Sequence, residues 1–103
     1  METIRFKDGR YIKSVVLTKQ LILSNTEAPS HFDYGNTDYI VAEVGKEVNV
    51  LVKSYPDGRV YYTAFLKENG VYYAYTKMKD KNGKIIENCG GMRASYELKK
   101  ILG

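Results

Sequence analysis

The chain has 103 residues, 44% of them hydrophobic and 27% charged, with a formal net charge of +4. That is the size and balance of one ordinary domain with enough apolar material for a core, which argues against a disordered tail or a supercharged surface. The positive bias favours anionic partners only where the cations cluster.

A single cysteine, Cys89, excludes an intramolecular disulfide and any cysteine cluster for zinc, and a reducing cytoplasm is the expected compartment. The first residues lack the apolar core of a signal peptide, and no stretch reaches the ~18 continuous apolar residues of a membrane helix, so no membrane partner is expected. Twelve lysines, ten tyrosines, seven isoleucines and six asparagines, with no tryptophan, resemble the usage of an AT-rich bacterial or bacteriophage genome.

Taken from the N-terminus, turn signals at Lys7-Asp8-Gly9, Gly45-Lys46, Pro56-Asp57-Gly58, Asn69-Gly70 and Asn82-Gly83 separate runs rich in Val, Ile, Tyr and Phe. Short strands at such regular intervals mark an all-β or β-rich α+β domain. Asn-Gly suits the type I′ hairpin turn, whose two central residues both need positive φ, and Pro-Asp-Gly suits a type I turn closed by a glycine bulge. The pattern predicts strands near residues 2–6, 11–17, 20–24, 39–44, 47–55, 60–67, 71–79 and 84–88.

The segment 40–55 has two readings. Ile40, Val41, Val44, Val48, Leu51, Val52 and Tyr55 would form a stripe on a helix, whereas Val48, Val50 and Val52 alternate as a strand does. The β-branched density, Gly45 at mid-segment and Pro56 in a hairpin turn favour strands. After Gly90-Gly91, Ala94, Leu98, Ile101 and Leu102 fall at helical spacing, with Lys99 and Lys100 near the end where the dipole favours cations. The expected fold is therefore a single β-rich α+β domain over 1–103, an antiparallel hairpin meander with a short C-terminal helix packed on it. Two segments, FKDGRYIKSVVL from Phe6 and YPDGRVYYTAFL from Tyr55, share an Asp-Gly-Arg turn, for which common turn chemistry is a simpler account than duplication.

The turns set a register, and the register sorts side chains onto faces. With Asn69-Gly70 as a two-residue loop, Leu66 lies opposite Tyr73, Ala64 opposite Tyr75 and Tyr62 opposite Lys77. With the bulged turn at Pro56-Asp57-Gly58, Ser54 faces Val60, Val52 faces Tyr62, Val50 faces Ala64 and Val48 faces Leu66. One face then collects these valines with Tyr62, Tyr73 and Tyr75, and is the expected core. The other carries Lys53, Tyr61, Phe65, Lys67 and Tyr72 among threonines and small residues. Rings interleaved with lysines are what sheet-surface binders use to stack bases and neutralise phosphates, although a covering helix or subunit with snorkelling lysines gives the same pattern.

Three further places carry weaker chemistry. Asn88 to Ser95 puts two glycines and Arg93 at the start of the predicted helix, a place for a phosphate or carboxylate that matches no established phosphate-loop motif. The long segment 24–37 holds the single histidine, His31, near Glu27 and Asp33, with no second element to complete a catalytic or metal site. Cys89 at the helix entrance would be a lowered-pKa thiol or a small buried hydrophobe.

The sequence thus predicts a small non-catalytic binding protein without a cofactor. Its ligand site would comprise Lys53, Tyr61, Phe65, Lys67, Tyr72 and Arg93, and its ligand would be a nucleic acid or nucleotide. The alternative is a protein-binding accessory factor, such as a phage-encoded antagonist of a bacterial defence system, with tyrosines at the interface. A homo-oligomer that buries the aromatic face against a copy of itself is expected on either reading.

Overall fold

The computed structural model describes residues 3–25 and 39–87. Eight strands follow in chain order: β1 (Ile4–Arg5), β2 (Tyr11–Val16), β3 (Leu21–Asn25), β4 (Tyr39–Ala42), β5 (Glu47–Ser54), β6 (Val60–Glu68), β7 (Val71–Lys79) and β8 (Ile85–Glu87). There is no helix among the described residues. The predicted C-terminal helix lies outside them, as do His31, Cys89 and Arg93.

Segment 40–55 holds two strands, β4 and β5, joined by a turn rather than a helix. Gly45 takes φ of +90° in a tight turn closed by the Lys46 amide donating to the Glu43 carbonyl at 3.1 Å. A β-carbon strongly disfavours that backbone conformation, so a glycine here stops a helix and starts β5. The Asn69-Gly70 loop has both residues at positive φ, +52° and +79°, as a type I′ turn requires. The observed ladder pairs Leu66 with Tyr73, Ala64 with Tyr75 and Tyr62 with Lys77. Across the Pro56-Asp57-Gly58 turn, Val52 pairs with Tyr62, Val50 with Ala64 and Ser54 with Val60.

The two Asp-Gly-Arg turns have one geometry. The Phe6 amide donates to the Arg10 carbonyl at 2.8 Å, and the Tyr55 amide to the Arg59 carbonyl at 2.9 Å. A third turn, with neither the aromatic residue nor the arginine, repeats it: the Asp80 amide donates to the Lys84 carbonyl at 2.8 Å. In the first two turns the third-position aspartate accepts the N–H of Arg10 or Arg59, whereas in the third Asn82 holds that position and Asp80, at the first, accepts the N–H groups of Asn82 and Lys84. What recurs is the backbone geometry with a positive-φ glycine at the fourth position, Gly9, Gly58 or Gly83, and three such turns need no duplication to explain them.

The strand order is β1-β2-β5-β6-β7-β3-β4, all pairs antiparallel, with β8 also pairing β7. This order cannot lie flat. From β2 to β3 the sheet crosses four inter-strand gaps, about 19 Å if planar. The link between Val16 and Leu21 spans at most about 18 Å fully extended. The β4–β5 turn, tighter still, crosses as many gaps. The sheet must therefore curl until its β4 side returns toward β2. The end of β2 marks the closure: the Leu17 amide donates to the Lys46 carbonyl, and the Gly45 amide to the Leu17 carbonyl, both at 2.9 Å.

Curling gives the sheet a concave and a convex side, each with its own apolar cluster. Leu17, Leu23, Ala42, Val48 and Ala64 fill one end of the concave side. Ile12, Leu51, Phe65, Tyr72 and Ala74 form the convex cluster, with Phe6 from the β1–β2 turn packed against it.

Candidate functional site

The concave side is filled at one end and open at the other. The open end is a cavity of about 460 Å³ built from six strands and the β2–β3 link. Its side chains come from alternate positions, residues 13 and 15 on β2, 75, 77 and 79 on β7, and 85 and 87 on β8, because in a strand only every second residue points to one face. Val15, Leu17, Leu21, Val50, Ala64 and Ile85 make the apolar lining, and Tyr62 and Tyr75 add aromatic rings.

Four lysines, Lys13, Lys19, Lys77 and Lys79, belong to the same lining, against one carboxylate, Glu87. Lys19 Nζ lies 3.5 Å from Glu87 Oε1. A hydrogen bond from Tyr75 and the charge of Lys19 hold the Glu87 carboxyl below the usual glutamate range. Among the described residues, Lys13, Lys77 and Lys79 form no ion pair. The net charge facing this small volume is therefore strongly positive, and focusing by low-dielectric walls concentrates it.

Of the predicted site residues, Lys53, Tyr61, Phe65, Lys67 and Tyr72 lie on the other side of the sheet, and Arg93 is outside the described residues. Phe65 and Tyr72 are 4% and 5% exposed, and their rings meet edge to face with centroids 6.1 Å apart. Neither offers a free face to a base. Lys67 sits over the Tyr72 ring at 5.1 Å. Lys53 and Tyr61 are brought together around Tyr55: the Lys53 ammonium lies 4.9 Å and the Arg59 guanidinium 4.6 Å from the Tyr55 centroid, and Tyr61 meets that ring edge-on at 5.4 Å. The rings and cations of the convex face thus contact each other rather than presenting an open stacking surface.

The expected core tyrosines are more open than Phe65 and Tyr72. Tyr62, Tyr73 and Tyr75 are half-buried, and two of them border the cavity. The registers hold, yet the face expected to carry the ligand site contains the more deeply buried rings, Phe65 and Tyr72. Register states which side chains share a face, and curvature decides how closely each face is covered. One signal in the sequence pointed to the cavity: the register put Lys77 opposite Tyr62 on the supposed core face, where a lysine has no place unless that face opens to water.

No family model, curated protein or solved structure matches this chain. The cavity's chemistry therefore has to be read from its own residues. Among the described residues no cluster of His, Cys, Asp and Glu could hold a metal ion, and no helix is long and apolar enough to cross a membrane.

Proposed function

We propose that this chain is a small non-catalytic binding protein whose concave aromatic and lysine face takes an anionic ligand, a nucleotide or the end of a single-stranded nucleic acid. The observation that carries the reading is the convergence of four lysines and two tyrosines on one apolar cavity of about 460 Å³. That volume lies within the ~300–1,000 Å³ of small-molecule sites. Aliphatic walls and phenol rings suit a flat base, and the ammoniums suit phosphate. The polar groups of the lining are ammoniums, phenols and a carboxylate already engaged by Lys19, a set that supports holding an anion better than performing chemistry on it.

The test uses the absence of tryptophan, which leaves tyrosine emission as the intrinsic signal. Titration with ribonucleotides and short oligonucleotides should quench that emission saturably. Affinity should fall steeply with salt. Salt-independent association, or none, defeats the reading.

A second reading has its own observation. On the outer side of the β3–β4 hairpin, Ile22 is 56%, Val41 42% and Tyr39 63% exposed, with Ile22 paired to Val41 and Ser24 to Tyr39. An apolar patch beside a strand with a single partner among the described residues suits a protein partner, such as the target of a defence-system antagonist, or a second copy of this chain. Val41→Lys should abolish such an association, read by sedimentation, and leave nucleotide binding intact.

A further inference from the structure

One acidic side chain lies among the cavity's cations, and its surroundings are those of a bound anion. Glu87 is paired across the β7–β8 ladder with Lys77, so their side chains stand next to one another on the concave face. Tyr75, two residues before Lys77 on β7, reaches the same carboxylate by hydrogen bond. The third partner, Lys19, comes from the β2–β3 link, 68 residues away in the chain, with Nζ 3.5 Å from Glu87 Oε1. Lys19 and Tyr75, from two distant segments, thus reach the carboxylate, Lys77 stands beside it across the ladder with no ion pair among the described residues, and all three also line the cavity.

The arrangement is weakly held. The side chains of Lys19 and Glu87 are 65% and 48% exposed, and ion pairs so open to water contribute little. Separating them costs the fold correspondingly little. A phosphomonoester carries about −1.5 to −2 charges near neutral pH and three acceptor oxygens, against one charge and two oxygens on the carboxylate. Placed at the same point it makes the stronger set of contacts with the two ammoniums and the phenol.

We infer that Lys19, Lys77 and Tyr75 form the phosphate subsite of this cavity and that Glu87 occupies it as a built-in competing anion, displaced when a ligand phosphate enters. The inference rests on the nucleotide reading above. It gives the cavity a discrimination device: a neutral nucleoside cannot displace Glu87, whereas its monophosphate can. Glu87 lowers affinity for every phosphate ligand while compensating Lys19 in the empty protein.

The experiment compares the four ribonucleoside monophosphates and their parent nucleosides, titrated by calorimetry into the wild-type chain and Glu87→Gln. Removing the competing charge should tighten monophosphate binding about fivefold, the worth of one unit charge near 4 Å in water, and leave nucleoside binding unchanged. Adding Lys19→Ala to Glu87→Gln should cancel most of the gain. Thermal unfolding of each variant controls for the fold. If the wild type binds monophosphates and Glu87→Gln binds them equally or more weakly, or if nucleosides gain as much as monophosphates, the inference is overturned and the nucleotide reading stands. If neither protein binds any monophosphate, both fall together.

Discussion

The two faces of β5, β6 and β7 both carry aromatic rings beside lysines, Phe65, Tyr72 and Lys67 on one and Tyr62, Tyr75 and Lys77 on the other, and they end in opposite conditions. On the convex face Phe65 and Tyr72 are buried edge to face, and Lys67 lies over the Tyr72 ring. On the concave face Tyr62 and Tyr75 stay half-open beside lysines that arrive from β2, the β2–β3 link and β7. Rings next to lysines along one strand are therefore a poor guide to a binding surface, since such neighbours readily contact each other. Cations that converge from separate strands on one apolar hollow are a better one.

The comparison can be broken most directly by truncation. Phe65→Ala should destabilise the fold by about 3–5 kcal/mol, the cost of emptying a buried aromatic site. Tyr62→Ala should cost about 1 kcal/mol. Denaturant unfolding of both variants reads the difference, and equal losses would mean that the two faces are equally core. In binding the order reverses. Tyr62→Ala should lose about 1–3 kcal/mol of nucleotide affinity, the range for a base stacked on an aromatic ring, while the conservative Phe65→Leu should leave affinity unchanged.

The charge of the concave rim gives a smaller effect. Lys13→Ala, on β2 and outside the Lys19–Glu87 pair, should weaken nucleotide binding about fivefold and flatten its salt dependence. Lys67→Ala on the convex face should change neither, and a salt titration of both variants sharpens the contrast.

The acid limb of stability is the next measure. Asp8 is held below its ordinary value of 3.8 chiefly by hydrogen bonds from Arg10, Asp57 chiefly by the Arg59 amide, and Glu87 below 4.5 chiefly by Tyr75. With depressed folded-state values, the unfolded chain binds more protons than the folded one as pH falls. Their contribution is fully present above about pH 5 and is lost as the pH drops through the lowered values. The melting temperature should therefore fall on the acid side, and Asp57→Asn should reduce that dependence.

Smallest of all is Thr76→Val. Thr76 is buried beneath the convex face, paired with Thr63, and its Oγ1 has no hydrogen-bond partner among the described residues. Replacing an unsatisfied hydroxyl with a methyl should leave stability within about 0.5 kcal/mol or raise it.

Much of the fold was legible because its signals are local. Asn69-Gly70 and Pro56-Asp57-Gly58 prescribe backbone angles that few other residues adopt, and a turn of known length sets the register of the strands it joins. That is why pairs such as Ala64 with Tyr75 and Val52 with Tyr62 follow from the sequence. Most of the site was not legible. Lys13, Lys19 and Lys79 carry no local mark that separates them from Lys53 or Lys67, and Lys19 reaches Glu87 across 68 residues of chain.

The sequence by itself determined the strands, the turns and the partition of each strand into two faces, because these depend on φ/ψ preferences and a two-residue period. Only the tertiary structure decided which face holds the deeply buried rings and which holds an open, lysine-lined cavity. That choice depends on the order β1-β2-β5-β6-β7-β3-β4, whose short links between distant strands force the sheet to curl. The curl follows from chain length set against inter-strand spacing, a constraint that appears only once the strand order is known.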